Sequence, residues 1–322
     1  MERLDAFMAR ANAAYYASRD PYADFTTAPE ISQSFGEVLG LWAAVVWQTM
    51  GAPDPVILAE AGPGRGTLMD DALRAIGRAA PGFRAALRLH LVETSPRLRA
   101  LQAARLPDAV WHDRIGQVPA GPLLLLANEF LDALPIRQFV RRGGGWTERH
   151  VQAGGVVDLP AAPPGLAAAE GEGGEVGAAA QAVATALGAR LAASGGAALF
   201  IDDGPARRAP GDSLQALRGR APADPLVAGG EADLTAHVDF AAFAAAAQAA
   251  GAATQGPVPQ GLFLARLGLP QRAEALARGQ PPAQAAALLE GVRRLTEPHA
   301  MGRLFKALAL CPPGLPDLPG FQ

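Results

Sequence analysis

Lysine, cysteine and aromatic side chains are what this chain has least of. Lys306 is the only lysine among 28 basic residues, a bias that reads as the nucleotide composition of a GC-rich bacterial genome and carries no functional signal. Cys311 is the only cysteine, so no disulfide framework can form within the chain, and a reducing, cytoplasmic location is expected. The five histidines (His90, His112, His150, His237 and His299) lack the Cys/His spacing of a zinc site, and no metal is expected. Neither sign of charge dominates. Acidic residues number 31 against 28 basic ones, without the broad positive field of a nucleic-acid binder, so a protein or small-molecule partner fits better. Long apolar runs are absent too. The run from Leu123 to Ala127 is far too short to cross a bilayer and residues 241–253 are mostly alanine, so no membrane span is expected. The first twenty residues carry Glu2, Asp5 and Asp20 and no apolar h-region, against a secretory or transit signal. None of this specifies an oligomeric state.

What is present is an alternation of short apolar runs and amphipathic stretches over 322 residues, enough chain for a large buried core. From Ile31 to Met50 the residues Ile31, Phe35, Val38, Leu39, Trp42, Val45 and Val46 recur at helical spacing, with Pro29 before them and Gly51 after. Val56 to Ala61 reads as a buried strand running into a glycine loop, followed by a helix from Thr67 to about Ala79. Strand-like runs at 89–94, 110–112, 123–127 and 198–202, separated by helical patterns, predict an α/β fold with a mostly parallel, doubly wound, Rossmann-like sheet. Residues 138–140 and 146–151 around Gly143 to Gly145 predict a hairpin at one edge of that sheet. The expected organisation is a helical N-terminal segment over 1–50 packing on the core and a core over 51–260. An Ala/Gly-rich insertion interrupts the core at 153–196, its first half an exposed loop and its second a helix near 175–193. A helical cap over 261–300 and a return to the sheet over 301–322 complete the chain.

The loop Glu60-Ala61-Gly62-Pro63-Gly64-Arg65-Gly66 brings backbone close to a ligand, because glycine has no Cβ to block the approach and the following helix offers free N–H groups. A dinucleotide fingerprint needs G-x-G-x-x-G, and Thr67 stands where its third glycine would be, which disfavours a nicotinamide cofactor. Glu60, two residues before Gly62, suits the ammonium of a methionine moiety instead. Glu93 ends the second strand, where an acid can accept from ribose hydroxyls or simply assist a helix N-cap. His112 and Asp113, at the end of the third strand, can border an adenine or form a plain turn. After the fourth strand, Asn128, Glu129 and Asp132 lie at the carboxyl edge of the sheet, where paired carboxylates can hold a guanidinium nucleophile; the competing reading is an acid-decorated helix start. Asp24, Phe25 and Glu30 can lid the cofactor or cap a helix, and His237 can assist proton removal or serve a structural role.

Several strings in order resemble the MidA family, methyltransferases related to the mitochondrial complex I assembly factor that symmetrically dimethylates an arginine. They are Asp24 to Ser32, Glu60 to Thr67, Leu91 to Ser95, Asn128 to Pro135, Gly211 to Ala216, Glu231 to Phe240 and Met301 to Lys306. The resemblance spans nearly the whole chain. It implies a class I methyltransferase fold, S-adenosyl-L-methionine as cofactor and a protein arginine as acceptor, with a respiratory complex I core subunit as the type of target. By position it implies that Glu60, Gly62 and Gly64 meet the methionine portion and Glu93 the ribose, with Asn128, Glu129 and Asp132 at the reaction centre; Gly66, in the same loop, and Asp113, at the end of the third strand, are expected to bind the cofactor from their place in the sequence alone. The family has glycine where Ala23 stands and an aromatic where Asp203 stands, and its N-terminal helix is longer. A methyltransferase of small molecules, or an assembly protein that keeps the core without catalysis, are the competing readings.

Overall fold

The computed structural model describes residues 1–19, 21–153, 155–162, 165–166, 169–207, 210–226 and 229–322. The chain divides into two compact units. The larger comprises Thr26–Glu129, Ala184–Gly204 and Ala244–Gln322, and the smaller Met1–Phe25, Phe130–Val183 and Pro205–Phe243. The segment expected as one piece over 1–50 is therefore shared, its first 25 residues belonging to the smaller unit.

Seven strands form the sheet of the larger unit: β1 (Val56–Ala61), β2 (Leu87–Val92), β3 (Val110–His112), β4 (Leu123–Asn128), β5 (Gly196–Asp203), β6 (Ala253–Pro259) and β7 (Phe305–Cys311). Their order is β3-β2-β1-β4-β5-β7-β6. β1 to β5 run parallel, while β7 is antiparallel to both of its neighbours, so β6 runs with the majority. Every residue of β1 and of β4 is buried, which is why both read as continuous apolar runs rather than as alternations. The carboxyl ends of β1 to β4 lie in register, Ala61 opposite Val92 and Ala127, and Val92 opposite His112. Side chains that follow these strands thus meet along one edge of the sheet.

The helices of this unit place that edge. α1 (Gln33–Thr49) and α2 (Thr67–Ala79) pack backbone to backbone: a Cβ on Gly36 would lie 2.7 Å from the Leu68 carbonyl oxygen, and one on Gly40 2.7 Å from Ala72 Cα. The expected helix from Ile31 breaks at Ser32, leaving a separate turn of helix at Ala28–Ile31. Val45, counted on the apolar stripe, is 45% exposed, while Phe35, Val38, Leu39, Trp42 and Val46 are buried. α3 (Pro96–Arg105) starts at Ser95, whose hydroxyl accepts the Leu98 N–H at 3.3 Å. Helices Gln260–Arg266, Leu269–Ala277 and α4 (Pro282–Thr296) fill the stretch expected to be helical.

The smaller unit holds the expected hairpin, but not at an edge of the doubly wound sheet. Strands Arg137–Arg142 and Gly145–Gln152 pair across Gly143 and Gly144, both with positive φ as a two-residue turn of the primed type requires. They sit in a sheet of their own with Glu2–Arg3, Gly155–Pro160 and Gly173–Val176. The physical reason is visible in Arg137–Arg142, which keeps exposed and half-exposed charged positions beside buried Gln138 and Phe139. Partly exposed charged positions of this kind do not fit the centre of a parallel sheet, whose strands are covered on both faces. The region expected as a loop over 153–173 contains the strand Gly155–Pro160; residues 154, 163, 164, 167 and 168 lie outside the described residues. Helix Leu4–Ser18 packs Leu4, Phe7, Met8 and Ala11 into the apolar core of this unit with Val151, Ala216 and Leu234. No described helix is long and apolar enough to cross a membrane.

Candidate active site

The glycine loop leaves β1 at Ala61 and enters α2 at Thr67. Gly62, Gly64 and Gly66 all take positive φ, at 67°, 54° and 78°, a conformation that costs any residue with a Cβ. Gly66 N–H closes the turn on the Pro63 carbonyl at 2.7 Å, and Gly62 N–H donates to the Val92 carbonyl of the neighbouring strand at 3.1 Å. Glu60 is 2% exposed, and among the described residues its Oε2 has no hydrogen-bonding partner. Burial pushes its carboxyl up to about 8, with only the Met69 N–H drawing it down. An acid held this way lacks a cation, and the ammonium of a bound methionine moiety is a cation of the right kind. The loop and Glu60 therefore fit S-adenosylmethionine.

Glu93 follows β2 and is 9% exposed. Its N–H donates to the His112 carbonyl at 2.9 Å, and its Oε1 accepts the Ser95 N–H at 2.8 Å. Burial raises its carboxyl, opposed by Ser95, Gln102, Thr94 and Arg99. Gln102 joins the glycine loop to Glu93: its Nε2 donates to the Gly64 carbonyl at 2.7 Å and reaches Glu93 Oε2 at 3.4 Å, while its Oε1 accepts Trp111 Nε1–H at 2.8 Å. Gln102 belongs to no sequence motif of the site. Its signal was a polar residue one helical turn after Leu98, on the only buried stripe of α3. Asp113 is exposed and pairs with Arg99 at 2.7 Å, and Arg99 also holds the Glu93 carbonyl. His90 Nδ1 and His112 Nε2 lie 2.9 Å apart on adjacent strands.

Asn128 ends β4 and Glu129 follows it with φ +50°, a left-handed conformation rare for a residue with a side chain and common where function fixes geometry. The Glu129 N–H donates to the Ile201 carbonyl at 2.9 Å. Its Oε1 accepts the Ala28 N–H and Asn128 Nδ2–H, each at 2.9 Å. Burial pushes the Glu129 carboxyl up to about 7; Ala28, Asn128 and Arg294 draw it down and Asp203 raises it. Asn128 Oδ1 is buried with no partner among the described residues. Glu30 accepts the Thr67 hydroxyl at 2.6 Å.

Glu60, Gly62, Gly64, Gly66, Glu93, Asp113, Asn128, Glu129 and Glu30 thus all belong to the larger unit. Asp24, Phe25, Asp132 and His237 belong to the smaller one. There Asp24 accepts the Tyr15 hydroxyl at 2.6 Å and the Gly219 N–H at 2.5 Å, and the Phe25 ring lies 6.1 Å from that of Tyr22. The Asp132 carbonyl accepts the Ala236 N–H at 2.9 Å, and the exposed His237 donates its N–H to Ser213 Oγ at 2.9 Å.

A sheet with one antiparallel strand set between the last two parallel ones, a glycine turn after its first strand and an acid after its second define a Rossmann-like S-adenosylmethionine-dependent methyltransferase. The chain belongs to a family of S-adenosyl-L-methionine-dependent methyltransferases, whose sequence profile matches residues 38–258. It is similar to the protein arginine methyltransferase NDUFAF7 homolog of Drosophila melanogaster, with 34% identity covering 97% of this chain and 80% of the relative. The human protein arginine methyltransferase NDUFAF7 is 33% identical over 92% of this chain and 76% of its own length; both relatives are mitochondrial proteins. A Burkholderia thailandensis protein crystallised with S-adenosyl-homocysteine superposes with a TM-score of 0.81 at 27% identity, covering 99% of this chain and 89% of that one.

Proposed function

We propose that this methyltransferase modifies the guanidinium of an arginine in a protein, with a respiratory complex I core subunit as the type of acceptor that the family resemblance implies. The observation that carries this reading is Glu129: a half-enclosed carboxylate, backbone strained, at the carboxyl end of the fourth strand and oriented by two N–H donors. When bound, S-adenosylmethionine supplies an electrophilic methyl group on a sulfonium. Glu60 neutralises the ammonium of the methionine portion, the glycine loop lets backbone approach it, and Glu93 accepts from the ribose hydroxyls while Gln102 holds Glu93 and the loop together. Glu129 and Asn128 Oδ1 offer acceptors to the N–H groups of an incoming guanidinium. Holding the nucleophile in line with the methyl carbon is the main contribution asked of them. The bound cofactor would supply the methyl group, its thioether being the leaving group, and the guanidinium nitrogen would have to shed one proton. A carboxyl drawn up to about 7 is well matched to receiving it. Asp132 belongs to the smaller unit, and its part in holding the acceptor rests on the sequence alone.

The test is a Glu129→Gln variant incubated with labelled S-adenosylmethionine and a cell lysate, with modified arginines located by mass spectrometry. Transfer is expected to fall about a hundredfold or more, while calorimetric affinity for S-adenosyl-homocysteine stays close to that of the parent. Retained transfer removes Glu129 from the chemistry. Methylated metabolites with no methylated protein overturn the choice of acceptor.

A further inference from the structure

The short turn of helix at Ala28–Ile31 touches both halves of the reaction centre within the larger unit. At its start the Ala28 N–H is bound by Glu129 Oε1 at 2.9 Å. Two residues on, Glu30 Oε1 accepts the hydroxyl of Thr67, the first residue of α2, at 2.6 Å. The turn has little freedom to move away. Ala28 is fully buried, Thr27 closes the turn by accepting the Glu30 N–H, and α4 backs it through Gly291, where a Cβ would lie 3.0 Å from the Ile31 carbonyl oxygen. Thr67 stands where a dinucleotide-binding loop carries its third glycine. Gly66 already occupies the N-cap of α2, so the Thr67 hydroxyl is not spent on capping and goes to Glu30.

We propose that Glu30 is a positioning residue for methyl transfer: by holding Thr67 it ties the start of the cofactor-binding helix to the turn whose Ala28 N–H orients Glu129. The methyl donor and the group that receives the acceptor are then aligned by one strap, and Thr67 is a hydroxyl residue because the strap needs a donor there. The inference rests on the reading of Glu129 given above. Besides Ala28, the groups that act on the Glu129 carboxyl are Asn128 on β4, Asp203 on β5 and Arg294 on α4, none of which is replaced by changing Glu30 or Thr67.

The sign of the effect separates a tether from simple electrostatics. Releasing the strap weakens the Ala28 hydrogen bond that favours the ionised form, so the Glu129 midpoint moves up; deleting the negative charge of Glu30 moves it down. The experiment follows the side-chain carboxyl of Glu129 by carbon-13 NMR titration of the full chain, its resonance assigned by its loss in Glu129→Gln. Glu30→Ala and Thr67→Val are each expected to raise the midpoint by about one unit, the size of one hydrogen bond to a charged group. Glu30→Gln, which can still accept the hydroxyl, is expected not to raise it. In a transfer-competent protein the acid limb of the pH profile moves upward with the midpoint in Glu30→Ala and Thr67→Val. An unmoved or lowered midpoint in both, or a rise in Glu30→Gln equal to that in Glu30→Ala, overturns the strap. If the titrations shift as stated while Glu129→Gln keeps full transfer, the strap stands and the assignment of Glu129 falls.

Discussion

At the scale of single residues, the informative feature is a buried acid with one oxygen left without a partner among the described residues. Glu60 keeps a proton in the folded chain up to about pH 8, whereas its ordinary value is 4.5. Because the unfolded chain releases that proton earlier, this residue makes folding progressively less favourable as pH rises from about 4.5 to about 8. Glu60→Gln removes that pH-dependent cost. The ligand-free variant is expected to melt higher than the parent at pH 8, with the difference narrowing at pH 5, as read by differential scanning calorimetry. The same variant is expected to bind S-adenosyl-homocysteine about ten- to a hundredfold more weakly, the loss of one charge-assisted hydrogen bond. A variant that melts higher and still binds as the parent does would detach Glu60 from the ligand. The role was legible from sequence as an acid two residues before Gly62. Its isolation was not, because lacking a partner is a property of everything around a residue.

At the scale of elements, the pairing of α1 with α2 decides how firmly the glycine loop is held. Gly36 and Gly40, one helical turn apart, let the two backbones meet, and an added methyl group would press on Leu68, Asp71 or Ala72 main-chain and Cβ atoms that have nowhere to go. Gly36→Ala and Gly40→Ala are each expected to lower stability by about 1–3 kcal/mol, measured by urea unfolding. Periodicity identified α1 as a buried helix without revealing which glycines form its contact. The strand β6 shows the opposite failure. Ala253–Pro259 contains Gly256, Pro257 and Pro259, which punctuate a strand pattern, and only its place at the edge of the sheet with a register shift between Gln255 and Val258 makes them tolerable.

At the scale of the whole molecule, the two units differ in the kind of sheet they contain. β1, β4 and β5 are central strands with almost every residue buried. In the smaller unit, the short strands Gln215–Arg218, Ala221–Ala223 and Asp233–Thr235 form a three-stranded sheet with exposed positions, particularly in Ala221–Ala223. Hydrogen exchange is expected to be slowest in peptides spanning 56–61, 123–128 and 196–203 and much faster across 215–223, since local opening follows burial of the backbone ladder. Equal protection in both sets would contradict that ranking.

The order of strands and helices through the first five strands, the glycine turn, the acid near the end of β1 and the acids after β2 and β4 were all readable along the chain, because each depends on local patterning or on the conformational freedom of glycine. Contacts between residues far apart in sequence were not readable. Nothing local says that the N–H of Ala28 will be bound by Glu129, that Gln102 will join Gly64 to Glu93, or that the Arg137–Arg142 hairpin will seed a sheet of its own. Nor does it say that β7 will slide between β5 and β6. A hydrophobic period states which face of an element must be covered, and it leaves the covering partner to the packing of the assembled chain.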